Sequence, residues 1–568
     1  GFSMRFLTAG LLFVASIVLI ICGIGQRTIW VGPSTHVVNI KATEDLPFYL
    51  VPNAALTKYP GNPTVTVRGE GNVFAATGRE SDIDAWLGTE ANAVVTFGGP
   101  KNSTVIEART GLRSALSPVG SDLWRTETTG AGQVKLVDVD TSQENALLLA
   151  RDGSVSAPGN IKLVWRIVTD LTFSNYLLIS GAVALLLALF TNFFSLVKLR
   201  RERRPRRKLP KAPRGPKSRP KRSQSYAAPR GRRSARNFML AAPAALVTLA
   251  LLSSCSLLGP QHSSPSPTPT NDASQPPAAL NAQQIKRILV ETAYQAKMAD
   301  TGTDRHLFTN RFTGPALEVR NVHYFLQAHK KDLAAMPAIS SSAEITLPAA
   351  DSSWPRTFMA VTKAVGASAV PQMLVFQQDN PRVNYKVFYT VELHQKTPPV
   401  ASAEIGAIPT APDSGFLVMK PLDIVKNYGD AINNPSTSPA LPSFDISKDD
   451  FYKGIKDLQA TNLASLKNGR IVFNHELGSQ TILGLNTLSN GALVALYMRD
   501  VTITKPKKAN QAIVVGGLEK ILLGSAGSST GITTTYGDMM LFFVPNTGYG
   551  KVRLIGYTSG LVSVKALH

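Results

Sequence analysis

YLLISGAVALLLALFTNFFSLV, residues 176–197, holds no charged residue and runs straight into KLRRERRPRRK, residues 198–208. A helix of this length, at 1.5 Å per residue, crosses a hydrocarbon layer of about 30 Å. Basic residues collect on the cytoplasmic flank of such spans. A second uncharged run, residues 6–25 (FLTAGLLFVASIVLIICGIG), has Arg5 before it and Trp30 at interfacial depth behind it. Spans at 6–25 and 176–197 place residues 27–172 outside and residues 198–236 inside.

The whole-chain numbers follow from this layout. Hydrophobic residues make up 44% of the 568 positions and charged residues only 17%, a deficit typical of membrane segments. The formal net charge of +22 resembles that of a nucleic-acid binder until it is located. Residues 198–236 hold eighteen Lys or Arg against the single acid Glu202. With several prolines and almost no apolar side chains, this stretch is expected to be disordered and to face anionic inner-leaflet lipids. Nucleic acid is the lesser reading, since Tyr226 is its one aromatic platform. The two cysteines, Cys22 and Cys255, both lie in apolar runs, which leaves no disulfide framework and no thiolate metal site for the polar regions.

A third run, residues 238–258, is weaker, contains Pro243, and has Arg230, Arg232, Arg233 and Arg236 before it. That asymmetry sends its C-terminal end outward. Leu252-Ser253-Ser254-Cys255 resembles the lipobox of bacterial lipoprotein precursors, with Cys255 as the candidate lipidation site. The run therefore reads either as an internal lipoprotein signal or as a third span. Residues 256–280, rich in Pro and Ser, read as an extended tether.

Between residues 27 and 172, HVVNIKA, PTVTVRG, NAVVTFGG, GQVKLVDV and NIKLVWRIV alternate in short steps separated by turn residues. This predicts an extracytoplasmic β-rich domain, a sandwich or barrel. One helix, ESDIDAWLG, is expected with Ser81 or Asp82 as its N-cap and Gly88 as its stop, and with Trp86 as a core residue. Asp138-Val139-Asp140 has the letters of a nucleotide-sugar metal pair, but it follows a strand and lies on the side away from cytoplasmic donors.

Residues 281–410 and 415–568 read as two α+β units. NAQQIKRILVETAYQAKM and the helix opening at Gly314-Pro315 precede AEITL, TFMAVTKA, QMLVFQQ and NYKVFYTVEL. PLDIVKNYGDAI and KDDFYKGIKDLQATNLASL precede RIVFNHEL, ALVALYMRDVTITK, DMMLFFVP and KVRLIGYTSGLVSVKAL. Ser489-Asn490-Gly491 and Ser559-Gly560 are expected hairpin turns. Helices followed by antiparallel strands predict helices against one face of a curved sheet. This element order is similar to the cone-shaped nuclear-transport-factor-2-like folds.

Catalytic motifs are incomplete. His475-Glu476 begins a zinc-protease pattern that fails at Ser479. Gly527-Ser528-Ser529-Thr530-Gly531, with Asp538 and His568 after it, spells a hydrolase elbow in a low-complexity loop. His323 and His329 are six positions apart, on different helix faces. Neither a cofactor fingerprint nor a metal set is read, and no catalytic residue is assigned.

The layout of spans, β-rich domain and lipoprotein-like C-terminal half, with NVFAATGRESDIDAWLG (72–88) as its specific local motif, resembles a group of uncharacterised actinobacterial cell-envelope membrane proteins, some labelled glycosyltransferases. The resemblance implies location at a bacterial plasma membrane. The expected protein is a multi-domain, membrane-anchored binding or assembly scaffold whose partner is another envelope protein or a glycan. The alternative is an envelope enzyme, a glycosyltransferase or a hydrolase, with its site in the C-terminal region.

Overall fold

Both uncharged runs form helices: α1 spans Phe2–Thr28 and α4 spans Thr172–Glu202. Each is long and apolar enough to cross a membrane by length and composition. They pack antiparallel, since Gly23 faces Leu178 and Gly181 faces Ile20. Small residues at these points let the backbones approach, and Ser174 bonds the Gly23 carbonyl at 2.8 Å. Helix α4 continues to Glu202, so the basic stretch begins as helix rather than as disordered chain.

The computed structural model describes residues 2–30, 33–99, 101–167, 171–202, 275–302, 306–366 and 369–568. The third apolar run, the Leu252-Ser253-Ser254-Cys255 motif and most of the basic and proline-rich stretches lie outside the described residues. Two compact units result. One holds α1 and α4, and the other joins residues 35–167 to residues 271–568.

In the second unit, residues 35–167 make a nearly closed, barrel-like sheet. Its strands are β1 (Thr35–Lys41), β2 (Phe48–Val51), β3 (Thr64–Arg79), β4 (Asn92–Gly98), β5 (Ser103–Arg109), β6 (Thr126–Leu136), β7 (Asn145–Ala150) and β8 (Asn160–Arg166). Their order is β1-β8-β3-β7-β2-β4-β5, with β6 on β3. The ends meet where the Lys41 amide donates to Thr104 Oγ1 at 3.1 Å. Inward residues such as Val67, Val95, Leu149 and Trp165 fill the interior. Helix α2 (Asn53–Leu56) supplies the Leu56 carbonyl that accepts from the Trp165 indole at 3.0 Å. Helix α3 (Glu80–Leu87) has Arg79 as its N-cap, two residues before Ser81 and three before Asp82, and stops at Gly88. Trp86 is buried, as the core reading requires.

The C-terminal region is one sheet. Its strands are β9 (Ala343–Pro348), β10 (Arg356–Thr362), β11 (Gln372–Gln378), β12 (Lys386–Leu393), β13 (Pro409–Thr410), β14 (Gly469–Leu477), β15 (Leu483–Asn486), β16 (Gly491–Pro506), β19 (Ile532–Pro545) and β20 (Arg553–Ala566). A small ribbon, β17 (Ile513–Val514) with β18 (Gly527–Ser528), stands beside it. The order β13-β15-β16-β19-β20-β12-β11-β10-β9 carries the sheet through both expected units, which meet at the β12–β20 and β13–β15 pairings. The helices do not share one face. Helices α5 (Ala282–Asp300) and α6 (Gly314–His329) pack in the core with Leu493, Ala495, Tyr497, Met539 and Leu541. Helices α7 (Ile424–Asn433) and α8 (Asp450–Ser465) pack in the core with Val494, Leu496, Met498, Met540 and Phe542. Alternate residues of β16 and β19 thus feed opposite cores. A short helix, α9 (Gly517–Leu523), lies near β20.

Asn490, at φ 51°, makes the expected turn before β16. Ser559-Gly560 does not turn, because β20 runs straight through it. A methyl group on Gly560 would lie 2.6 Å from Val319 Cγ1 on α6, so this glycine serves close helix–sheet packing. Val319 is β-branched and stiff. Gly560→Ala should therefore cost about 1–3 kcal/mol, and Val319→Ala should recover most of it. Thermal unfolding of the two single variants and the double variant measures this; a double variant no better than Gly560→Ala would rule the contact out.

Candidate functional site

The barrel and the C-terminal sheet are joined by charges buried between them. Asp122, in the loop before β6, takes Arg311 Nη1 at 2.5 Å and Nη2 at 3.0 Å. Their side chains are only 1% and 6% exposed. The Tyr385 amide adds 2.8 Å to the same carboxylate. Asn384 closes the loop from its other side, accepting from the Asp122 amide at 2.9 Å and donating to Gly120 O at 2.9 Å. The start of α5 is built for the same loop. Asn281 and Gln284 form a reciprocal capping box, and Gln284 Nε2 then reaches the carbonyls of Asp122 and Leu123 at 2.9 and 3.0 Å.

A second pair, Arg356 with Asp82 on α3, spans 2.8 Å with side chains 0% and 4% exposed. The Arg356 guanidinium also lies 3.6 Å from the centre of the Trp354 ring, and Trp354 packs against the cluster that holds Trp86 and Trp124. Arg382 caps the C-terminal end of α3, donating to Trp86 O at 2.9 Å and Leu87 O at 2.7 Å. A cation there satisfies carbonyls the helix leaves open and complements its dipole.

Beside the Asp122 hub opens a polar cleft of about 810 Å³, lined among others by Asp122, Glu127, Arg287, Glu291, Arg311 and Lys386. Burial raises the pKa of Glu127, against the Gly120 amide and the Arg287 cation that lower it. Arg287 is fixed by the Trp124 carbonyl at 2.6 Å, and Lys386 by the Thr309 carbonyl at 2.9 Å. Charges of both signs on rigid elements suit a polar, hydrogen-bonding ligand or a partner's loop. Among the described residues no group of three or more His, Cys, Asp or Glu is placed to hold a metal.

Residues 276–566 match the profile of a domain of unknown function, DUF8094. The chain belongs to the DUF8094 family. No curated protein and no solved structure matches it. The DUF8094 match begins six residues before α5 and ends with β20, so it encloses both helix pairs and the one sheet they share. The cleft is made by DUF8094 on one wall and by the barrel on the other.

The residues singled out from sequence do not converge on this cleft. Asp140 holds the Ser142 amide at 2.9 Å in the loop after β6. His323 and His329 lie apart along α6, and His329 Nδ1 meets Phe325 O at 2.9 Å. Ser528 begins the turn before β19 and contacts Thr530, whereas Asp538 lies inside β19 opposite Ser559. His475 and Glu476 are consecutive on β14, so their side chains leave opposite faces of the sheet.

His475 belongs instead to a buried polar cluster in DUF8094. Its Nδ1 lies 3.7 Å from Asp500 Oδ1. Burial lifts Asp500 to about 6 and lowers His475 to about 4. Burial also lifts Asp538 to about 7, helped by Asp500 and opposed by Ser559.

Two outcomes follow. A protease site inserted after Pro267 and then cut should leave two fragments that co-purify. Asp122→Ala combined with Arg356→Ala should release them, because breaking one partner of a buried pair costs about 3–5 kcal/mol. Separation of the unmutated fragments would contradict a welded interface.

The acid cluster sets a pH dependence. The folded carboxyls of Asp500 and Asp538 keep protons that unfolded ones release above about pH 4. Stability therefore falls as pH rises from about 4 to about 7. His475 acts oppositely between about 4 and 6.5, offsetting one carboxyl. Asp538→Asn should flatten the slope of stability against pH in this window, measured by denaturant unfolding. An unchanged slope would mean that Asp538 ionises normally.

Proposed function

We propose that the chain is a membrane-anchored bacterial cell-envelope protein whose barrel and DUF8094 domain stand together on the extracytoplasmic side and act as one binding or assembly body. The cleft at their junction is the proposed seat for a glycan or a segment of another envelope protein. The observation that carries this reading is the buried Asp122–Arg311 pair, which joins residues on either side of α4 in the chain. If α1 and α4 both cross the membrane, the chain changes sides between Ile167 and Glu202. It must cross again before Ala278, whose carbonyl accepts from Arg79 at 2.6 Å. The uncharged run at 238–258 is the intervening stretch with the length and composition to do so. Basic residues on both flanks of 198–236 then face the anionic inner leaflet. Acylation of Cys255 would add a second kind of anchor without parting the two halves.

An envelope enzyme is the second reading, and the buried carboxyls of Asp500 and Asp538 beside His475 are the observation that favours it. They sit in the sheet beneath α7 and α8, away from the junction cleft.

Single cysteines at Ser103, Ser223 and Thr461, probed on intact cells with a membrane-impermeant thiol reagent, test the arrangement. Ser103→Cys and Thr461→Cys should label alike, and Ser223→Cys only after lysis. Opposite behaviour of 103 and 461 would sink the single body. Equal labelling of all three on intact cells would sink the anchored topology.

A further inference from the structure

Residues 35–167 carry twelve Lys and Arg against fourteen Asp and Glu. The outer face of β1, β8, β3 and β6 departs from that balance. The cross-strand register puts Lys41, Asn160, Arg68 and Gln133 in one row, and Asn39, Lys162, Thr66 and Lys135 in the next. All four cations are exposed, and neither row contains a carboxylate. Arg68 Nε is satisfied by Gln133 Oε1 at 2.8 Å. Among the described residues none of the four cations makes an ion pair.

With strands about 4.8 Å apart and alternate residues about 6.8 Å apart, the four cations form a zigzag with steps of roughly 8 Å across the sheet. Like charges on neighbouring cross-strand sites repel, an arrangement that a bound anion offsets. The face is also concave: Asn39, Lys41, Thr66, Arg68, Asn160 and Lys162 line a groove of about 280 Å³. A flat bilayer surface does not enter a groove, whereas an extended chain does. The neutral Asn and Thr groups between the cations supply hydrogen bonds to whatever links successive charges.

We propose that this groove and the adjoining face of β6 bind an extended phosphodiester polymer, with Lys41, Lys162 and Arg68 in the groove and Lys135 beside it taking successive phosphates, and Asn39, Thr66 and Asn160 contacting the linkers. The site is separate from the junction cleft and does not depend on which side of a membrane the barrel occupies.

The test uses the full chain in neutral detergent and poly(glycerol phosphate), a phosphodiester chain without bases. Amine-reactive labelling read peptide by peptide keeps the site distinct from the basic stretch at 198–236. Labelling of Lys41, Lys135 and Lys162 should fall severalfold on adding polymer, while Lys58 and Lys101 of the same domain stay reactive. The protection should vanish in high salt. Arg68→Gln should weaken the protection of all three lysines and lower its salt slope by about one unit. Equal protection of Lys58 and Lys101, or no protection at all, would overturn the proposal. So would protection by anionic lipid vesicles but not by the polymer, which would make the face a headgroup surface.

Discussion

A carboxylate removed from water needs donors to offset the hydration it loses, and Asp122 is met from three directions. Its carboxylate takes Arg311, from the stretch before α6, and the Tyr385 amide, from the turn before β12. Its own amide donates to Asn384 in that turn, and its carbonyl accepts from Gln284 in the first turn of α5. These partners come from three separate stretches of DUF8094. The position of one loop of the barrel therefore sets the position of all of them. The Asp82–Arg356 pair repeats the device at α3, and together the two pairs fix both distance and rotation. The cleft inherits its rigidity from this hub, since Asp122 and Arg311 are among its walls.

Within DUF8094 the comparable constraint is apolar. Strands β16 and β19 carry long runs of residues buried on both sides, because each face meets its own helix pair. Neither helix pair can leave without exposing one face of the strands that also support the other. The two expected units are in this sense halves of one structure, and the family match over 276–566 follows the same boundary.

How much of this was legible in the sequence depended on whether a residue's partner lay nearby. The apolar helices, the amphipathic helix that opens at NAQQIKRILV and the Asn490 turn are local, and their letters suffice. In the barrel, the alternating strands β1, β4 and β8 could be read, but β2 (FYLV) and β7 (NALLLA) could not. Both are buried throughout, β2 and β7 having one face in the barrel and the other under α3 and the DUF8094 domain, so alternation disappears. Gly560 has the composition of a turn, and only its contact with Val319, more than two hundred residues earlier, shows why it is a strand residue. The junction was invisible for the same reason. Asp122 and Arg311 are 189 residues apart, and no local pattern pairs them. The available hint was charge set among aromatic residues, as in Asp122-Leu123-Trp124 and Trp354-Pro355-Arg356, where a charge in an apolar setting needs a distant counterpart.

That separation also has a meaning in time. At a synthesis rate of about 5–20 residues per second, Arg311 follows Asp122 by roughly ten to forty seconds. From the completion of β8 at Arg166 until Arg311 arrives, the newborn barrel shows water a carboxylate shaped for a guanidinium it lacks, and a tryptophan-rich flank whose cover is still unmade. The nascent barrel is thus an unfinished surface awaiting its own chain, and it must be kept from other chains until the remainder arrives.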